Sequence, residues 1–298
     1  MNWLQFSVQT DKAHAEQTEL ALENAGALSV TATDAADQPL LEPGPGETPL
    51  WDQLIITGLF PGDVARDEVL ANIMQASHIE QAGQILVETL ADQEWARSWM
   101  EHFKPMPFGK RLWVCPQAYE PPDPDAVNMR LDPGLAFGTG THPTTSLCLE
   151  WLDGEELQGL DVLDYGCGSG ILAIAAALLG AKKVWAVDND EQALIATKDN
   201  AIKNDVSDRI PCYLPDDLAD DIHVDLCIAN ILAGPIMSLA PLLAQHVRPG
   251  GTVVLSGILQ EQSEEVQQCY QQWFNMKPAI SKEGWVLLQG QRHDQDAT

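Results

Sequence analysis

Along residues 2–10, Leu4, Phe6 and Val8 alternate with polar neighbours, the period-two pattern of a strand with one buried face. A helix is expected over 11–24, ending before Gly26, and a second strand over 28–33. Residues 34–49, rich in proline, glycine and acids, read as an exposed loop. A third strand follows at 51–59, then a helix over 64–76 with Asp63 as its cap, and a fourth strand at 84–90. Strand, helix, strand, strand, helix, strand is the split βαβ, ferredoxin-like order, with four antiparallel strands and two helices on one face. That fold hosts many functions, and this stretch shows no metal-spaced histidines or phosphate loop, so a recognition module is the natural reading.

The pattern then changes. Trp95, Trp99 and Phe103 fall on one helical face and read as a packing link. Residues 110–115 read as a strand and 116–124 as a loop. From 160 onward, short apolar runs alternate regularly with helical stretches. Strands are expected near 160–163, 184–188, 209–214, 224–229 and 252–258, and helices over 171–179, 191–203, 235–247 and 262–274. A turn is expected at 248–251, and a terminal pair of strands around 278–281 and 285–289. This alternation predicts a parallel sheet with helices on both faces. The reading divides the chain into a recognition domain (1–91), a helical linker (92–103) and a second, α/β domain (104–298).

With 298 residues, 45% of them hydrophobic, the chain has enough apolar side chains for two cores. It has no run of eighteen apolar residues and no basic-then-apolar leader, so a soluble cytoplasmic protein with no membrane contact is expected. Its six cysteines are dispersed without a Cys-x-x-Cys pair, which gives no basis for disulfides or a metal site. Forty-four acidic against sixteen basic residues, a formal charge of −28, disfavour a nucleic-acid substrate and favour a cationic partner. The same acidity also serves solubility alone.

Candidate chemistry concentrates at Asp164-Tyr165-Gly166-Cys167-Gly168-Ser169-Gly170, between a strand and an alanine-rich helix closed by Gly180. Glycines there let a ligand lie on the backbone. Asp188 ends the next strand, where a doubly wound fold sets a carboxylate against ribose hydroxyls. A dinucleotide turn needs its third glycine at the sixth position, which here is Ile171. The shorter spacing instead resembles the S-adenosylmethionine turn of class I methyltransferases. Cys167 reads as a packing residue rather than a nucleophile.

Two further stretches stand out. Residues 132–145 gather glycines and threonines around Phe137 and His142, with Thr144 or Thr145 capping the following helix. Asn230-Ile231-Leu232-Ala233-Gly234-Pro235 closes the fourth strand. Together with the glycine turn, these resemble the PrmA family, which methylates protein eleven of the large ribosomal subunit. The resemblance implies a seven-stranded Rossmann-like methyltransferase domain behind a small ferredoxin-like α+β domain. It also implies transfer from S-adenosyl-L-methionine to lysine side chains and the N-terminal α-amine of that basic ribosomal protein, by a monomer.

By the same resemblance, cofactor contacts fall on Thr145, Gly166, Asp188 and Asn230, joined by Asp164, Gly168 and Gly170 of the turn. Asp216 or Asp217 would receive the adenine amino group. The side-chain carbonyl of Asn230, with a backbone carbonyl of Ile231 or Leu232, is the candidate acceptor that orients an attacking amine, and Phe137 would shield the reacting cation. His142, followed by proline, stays open between a general base and a structural role. Three alternatives are weaker. An adenine-modifying enzyme would want both prolines and the tyrosine of Asn-Pro-Pro-Tyr, a dehydrogenase is disfavoured by Ile171, and a non-catalytic assembly factor by the intact cofactor motifs.

Overall fold

The computed structural model describes residues 2–36, 50–77, 79, 84–91, 104–131 and 142–294. Most of the expected 34–49 loop, the 92–103 stripe and the 132–141 segment with Phe137 lie outside the described residues. The chain divides into two compact units, Met1–Trp99 and Met100–Thr298.

In the first unit the order is β1 (Asn2–Asp11), α1 (Ala15–Asn24), β2 (Ser29–Asp34), β3 (Gln53–Pro61), α2 (Arg66–Ala76) and β4 (Ile85–Ala91). The strands form an antiparallel sheet in the order β2-β3-β1-β4, the ferredoxin-like arrangement. The expected alternation buries Phe6, Val8, Leu54, Ile56 and Phe60 against Leu22, Val69 and Ile73 of the helices. Two expectations need correcting. Helix α1 starts four residues later than expected, because Asp11 still pairs with Gln53 and its carboxylate accepts from the His14 backbone at 3.1 Å. Asp63 does not cap α2: a turn in which Val64 N donates to Pro61 O moves the start to Arg66, with Ala65 at the cap.

The second unit opens with a small sheet of β5 (Met106–Phe108), β6 (Leu112–Cys115) and β7 (Val127–Arg130), of which only β6 was expected. Helix α3 (Pro143–Gly154) is tied to it by Asp153, which is buried and accepts from the backbones of Lys110 (2.6 Å) and Arg111 (2.9 Å).

The main run follows: β8 (Asp161–Tyr165), α4 (Ile171–Leu178), β9 (Lys183–Val187), α5 (Glu191–Lys203), β10 (Cys212–Tyr213), β11 (Val224–Asn230), α6 (Ala233–His246), β12 (Val247–Leu259), α7 (Ser263–Tyr270), β13 (Phe274–Met276), β14 (Ile280–Lys282) and β15 (Trp285–Arg292). The sheet order is β10-β9-β8-β11-β12-β15-β13, with β14 attached to β15. Pairing is parallel from β10 to β12 and antiparallel beyond. Two cores cover its faces, one built with α3, α4 and α5 and the other with α6 and α7.

Several edges differ from expectation. The strand expected at 209–214 shrinks to two residues, because Ser207–Arg209 forms a 3-10 turn before it. The 248–251 turn is a bulge inside β12, where the register jumps from Val224↔Val247 to Leu226↔Thr252 and Gly250 has φ +75°. The last helix stops at Tyr270, whose buried hydroxyl donates to Ile236 O at 2.9 Å, so that Phe274 can begin an edge strand.

At the N-terminal end of the strands, Arg248 bridges Asp161 (2.9 Å) and Asp225 (2.5 Å), tying β8 to β11. Among the described residues no helix is long and apolar enough to cross a membrane, and no group of side chains has metal-ligand geometry.

Candidate active site

From β8 the chain runs outward through β9 to β10, then returns to β11 on the other side of β8. Such a reversal leaves a crevice at the carboxyl ends of the two inner strands. Gly166 follows β8 there, and Asn230 ends β11.

The glycine turn needs its glycines. Gly166, Gly168 and Gly170 have φ of +82°, +54° and +78°, where a Cβ is strained. A Cβ on Gly166 would also overlap Ile231 Cγ2, and one on Gly170 would lie 2.8 Å from the Thr197 side chain. The backbone is pinned throughout. Gly166 N and Cys167 N donate to Val187 O at 2.7 and 3.0 Å, Thr197 Oγ1 to Gly168 O at 3.0 Å, and Asn200 Nδ2 to Ser169 O at 3.0 Å. Thr197 and Asn200, both buried on α5, were missed in the sequence, although two polar residues three apart within an otherwise apolar stripe are a readable signal.

Carboxylates line the turn. Asp188 Oδ2 accepts from Gly168 N at 2.8 Å and Oδ1 from Asp190 N at 3.0 Å, so both oxygens are oriented. Asp164 is fully buried, and its Oδ2 accepts from Ala173 N at 2.9 Å in the first turn of α4. Its Oδ1 has no hydrogen-bond partner. Burial, opposed by the Ala173 hydrogen bond and reinforced by the charge on Asp188, pushes this carboxyl up to about 7. Asp216 is exposed on the Pro215–Asp217 turn after β10, two strands or about 10 Å along the same edge of the sheet. Three acids in a row repel a pyrophosphate and favour a cation. Burial raises the Cys167 thiol well above its usual range, which removes it as a thiolate nucleophile.

Across the crevice, Asn230 Nδ2 donates to Thr145 Oγ1 at 3.3 Å, while Asn230 Oδ1 is buried without a partner. The cap of α3 is His142, not Thr144 or Thr145. Its Nδ1 accepts from Thr144 N at 3.4 Å and sits 2.8 Å from Thr144 Oγ1, with Pro143 at the first helical position. This leaves Thr145 fully buried and turned to Asn230. The His142 ring packs edge-on against Trp285, and burial lowers its proton affinity. Leu232 O already accepts from Ile236 N at 3.1 Å to open α6, and the Leu232 side chain is 50% exposed.

The chain has counterparts among known proteins. The family described as "Ribosomal protein L11 methyltransferase (PrmA)" matches residues 2–293. The chain is 49% identical over 292 residues to the ribosomal protein L11 methyltransferase of Shewanella halifaxensis, covering 98% of this chain and all of that one. It is 52% identical over 299 residues to that of Marinobacter nauticus, covering 99% and 100%. Among solved structures, the ribosomal protein L11 methylase of Lactobacillus delbrueckii subsp. bulgaricus is similar, with a TM-score of 0.59 at 34% identity, over 64% of this chain and 100% of that one. Because the match runs from residue 2 to residue 293, through both units and every part of the crevice, the chain belongs to the ribosomal protein L11 methyltransferase family of S-adenosylmethionine-dependent enzymes.

Proposed function

We propose that the chain transfers methyl groups from S-adenosyl-L-methionine to lysine ε-amines and the N-terminal α-amine of ribosomal protein L11, with residues 1–91 recognising the substrate, 92–103 linking and 104–298 catalysing. The residues of the crevice fit the cofactor. A buried polar atom without a partner costs about 1–3 kcal/mol, and Asp164 Oδ1 and Asn230 Oδ1 are two such atoms on opposite sides of the crevice. When bound, the cofactor supplies an electrophilic methyl group on a sulfonium.

In this reading Asp164 holds the α-ammonium, and the backbone of Gly166, Gly168 and Gly170 cradles the methionine portion. Asp188 takes the ribose hydroxyls, since a carboxylate has about four acceptor positions and only two are used by Gly168 and Asp190. Asp216 receives the adenine amino group, and Thr145 and Asn230 close the other side.

The observation that carries the proposal is the unpaired Asn230 carbonyl. With its amide held by Thr145, the oxygen can accept an N–H and aim the amine lone pair along one line. Only a neutral amine attacks, and a lysine has a usual pKa of about 10.4. Ile231, which follows Asn230 and packs on the apolar core, desolvates that amine and lowers its proton affinity. The acidic surface draws a cationic substrate protein to the enzyme.

The test is to incubate the purified chain with labelled cofactor and purified L11, and in parallel with total RNA, then to map the label by mass spectrometry. Label on lysines and the first residue of L11 is expected. Label that nuclease removes, or none, overturns the proposal.

A further inference from the structure

We propose that Gly257 is a positioning residue for the methyl transfer, holding the peptide of Ile231 so that the amine acceptors at 230–231 keep their aim. The inference rests on the functional reading above and concerns the same crevice.

Gly257 sits in a second bulge of β12. Leu255 pairs with Leu288 and Ile258 with Val286, so Ser256 and Gly257 together oppose the single residue 287. Bulges of this kind bend a strand and re-aim its neighbours. Gly257 has φ +82°, and a Cβ there would overlap Ile231 O and lie 2.7 Å from its carbonyl carbon and 3.1 Å from its nitrogen. All three are backbone atoms, so no flexible side chain can give way. On its other side Ile231 meets Gly166, whose added Cβ would overlap Ile231 Cγ2. One residue is thus clamped between two glycines, its peptide against Gly257 and its Cγ2 methyl against Gly166.

The bulge is in register with the acceptor: Asn230 pairs with Ser256 in the parallel ladder. The fully buried Ser256 Oγ is within donor reach of Val286 O at 3.0 Å and Thr144 O at 3.4 Å, and Thr144 precedes the residue that holds the Asn230 amide. One bulge therefore touches Ile231 directly and the Thr145 side of Asn230 through Ser256. A side chain at 257 forces the Ile231 peptide away, and a misplacement of about 1 Å in a reacting group costs about 100-fold in rate.

Three variants test this, each measured for kcat and KM on L11 and for binding of the demethylated cofactor product by calorimetry. G257A should lose about 100-fold in kcat, with acceptor KM and product affinity changed less than about threefold. Gly257→Asn tolerates the positive φ but still carries a Cβ. It should fall as far as G257A, and its recovery would show that backbone strain rather than the clamp matters, overturning the proposal. So would a G257A with wild-type kcat, or one in which product affinity and kcat fall together. Should neither variant fold, Ile231→Gly keeps Gly257 and frees the clamped peptide: a kcat lowered alike at pH 8 and pH 10 with retained product binding supports the clamp, whereas an unchanged kcat, or a loss that pH 10 restores and that reports only a less desolvated amine, overturns it. A wild-type chain that methylates no amine removes the functional reading and this inference with it, whereas an active wild type matched by G257A removes this inference alone.

Discussion

The two walls of the crevice follow opposite rules. On the β8 side, the turn from Gly166 to Gly170 is bonded to its own protein through Val187, Asp188, Thr197 and Asn200. On the β11 side, Ile231 is fixed by steric contact with two glycines, and the Asn230 side-chain oxygen beside it is left unpaired. A cradle is useful only if its shape is fixed before the ligand arrives, so its backbone is bonded internally and only the carboxylate oxygen of Asp164 beneath it stays open. A reacting acceptor has to keep one valence open, and steric contact fixes its place without consuming that valence.

If this division of labour is right, damage to the two walls separates into rate and affinity. The largest effect is expected from Asn230→Ala, with kcat on L11 falling by about 100-fold or more while calorimetry shows the product bound with far smaller loss. Asp188→Ala should do the converse. Losing hydrogen bonds to a charged group costs about 1.5–3 kcal/mol, so product affinity should drop about 10- to 100-fold while kcat at saturating donor holds.

Acidity acts on the same wall through Asp164. In the proposed reading only its ionised form receives the ammonium, so product affinity should fall about tenfold per unit as pH drops below about 7. The sign for stability is opposite. The folded carboxyl binds its proton more tightly than the unfolded one, so the ligand-free protein should lose stability as pH rises from the usual carboxylate range through about 7. Thermal melts at pH 5 and pH 8 check this, and Asp164→Asn should flatten the difference. Thr197→Ala, which unpins one carbonyl of the cradle, should cost about 1 kcal/mol of stability and a few-fold in product affinity. The smallest effect belongs to Arg248→Ala, at the far end of the strands. Its half-exposed ion pairs contribute no more than about 1 kcal/mol, and kcat should not change.

How far the sequence revealed all this follows from the range of the interactions. Strands β8, β9 and β11 were legible because parallel strands buried on both faces read as apolar runs, and the turn after β8 because three glycines in five residues have few other uses. Asn230 was singled out by the family resemblance, and its place at the end of β11 agrees with that choice. The His142 cap was not, because a threonine is the better intrinsic cap and only the packing of the imidazole on Trp285 decides against it. Strands β5 and β7 were not legible because β5 contains Pro107 and β7 carries Asn128 and Arg130, whereas the equally short β6 is a continuous apolar run. Gly257 was hidden for a deeper reason: a glycine inside a strand reads as a weakness, and its use appears only once the peptide of Ile231, just past the end of β11, is seen resting on it.

The edge-to-face pair of His142 and Trp285, with ring centroids 4.9 Å apart, gives the protein an optical signal of its own. An imidazolium quenches the emission of an indole beside it more strongly than a neutral ring does. Burial keeps His142 neutral until the solution is more acidic than an ordinary imidazole requires, so dimming should set in below about pH 6.5. Subtracting the Trp285→Phe spectrum isolates that component from the other eight tryptophans.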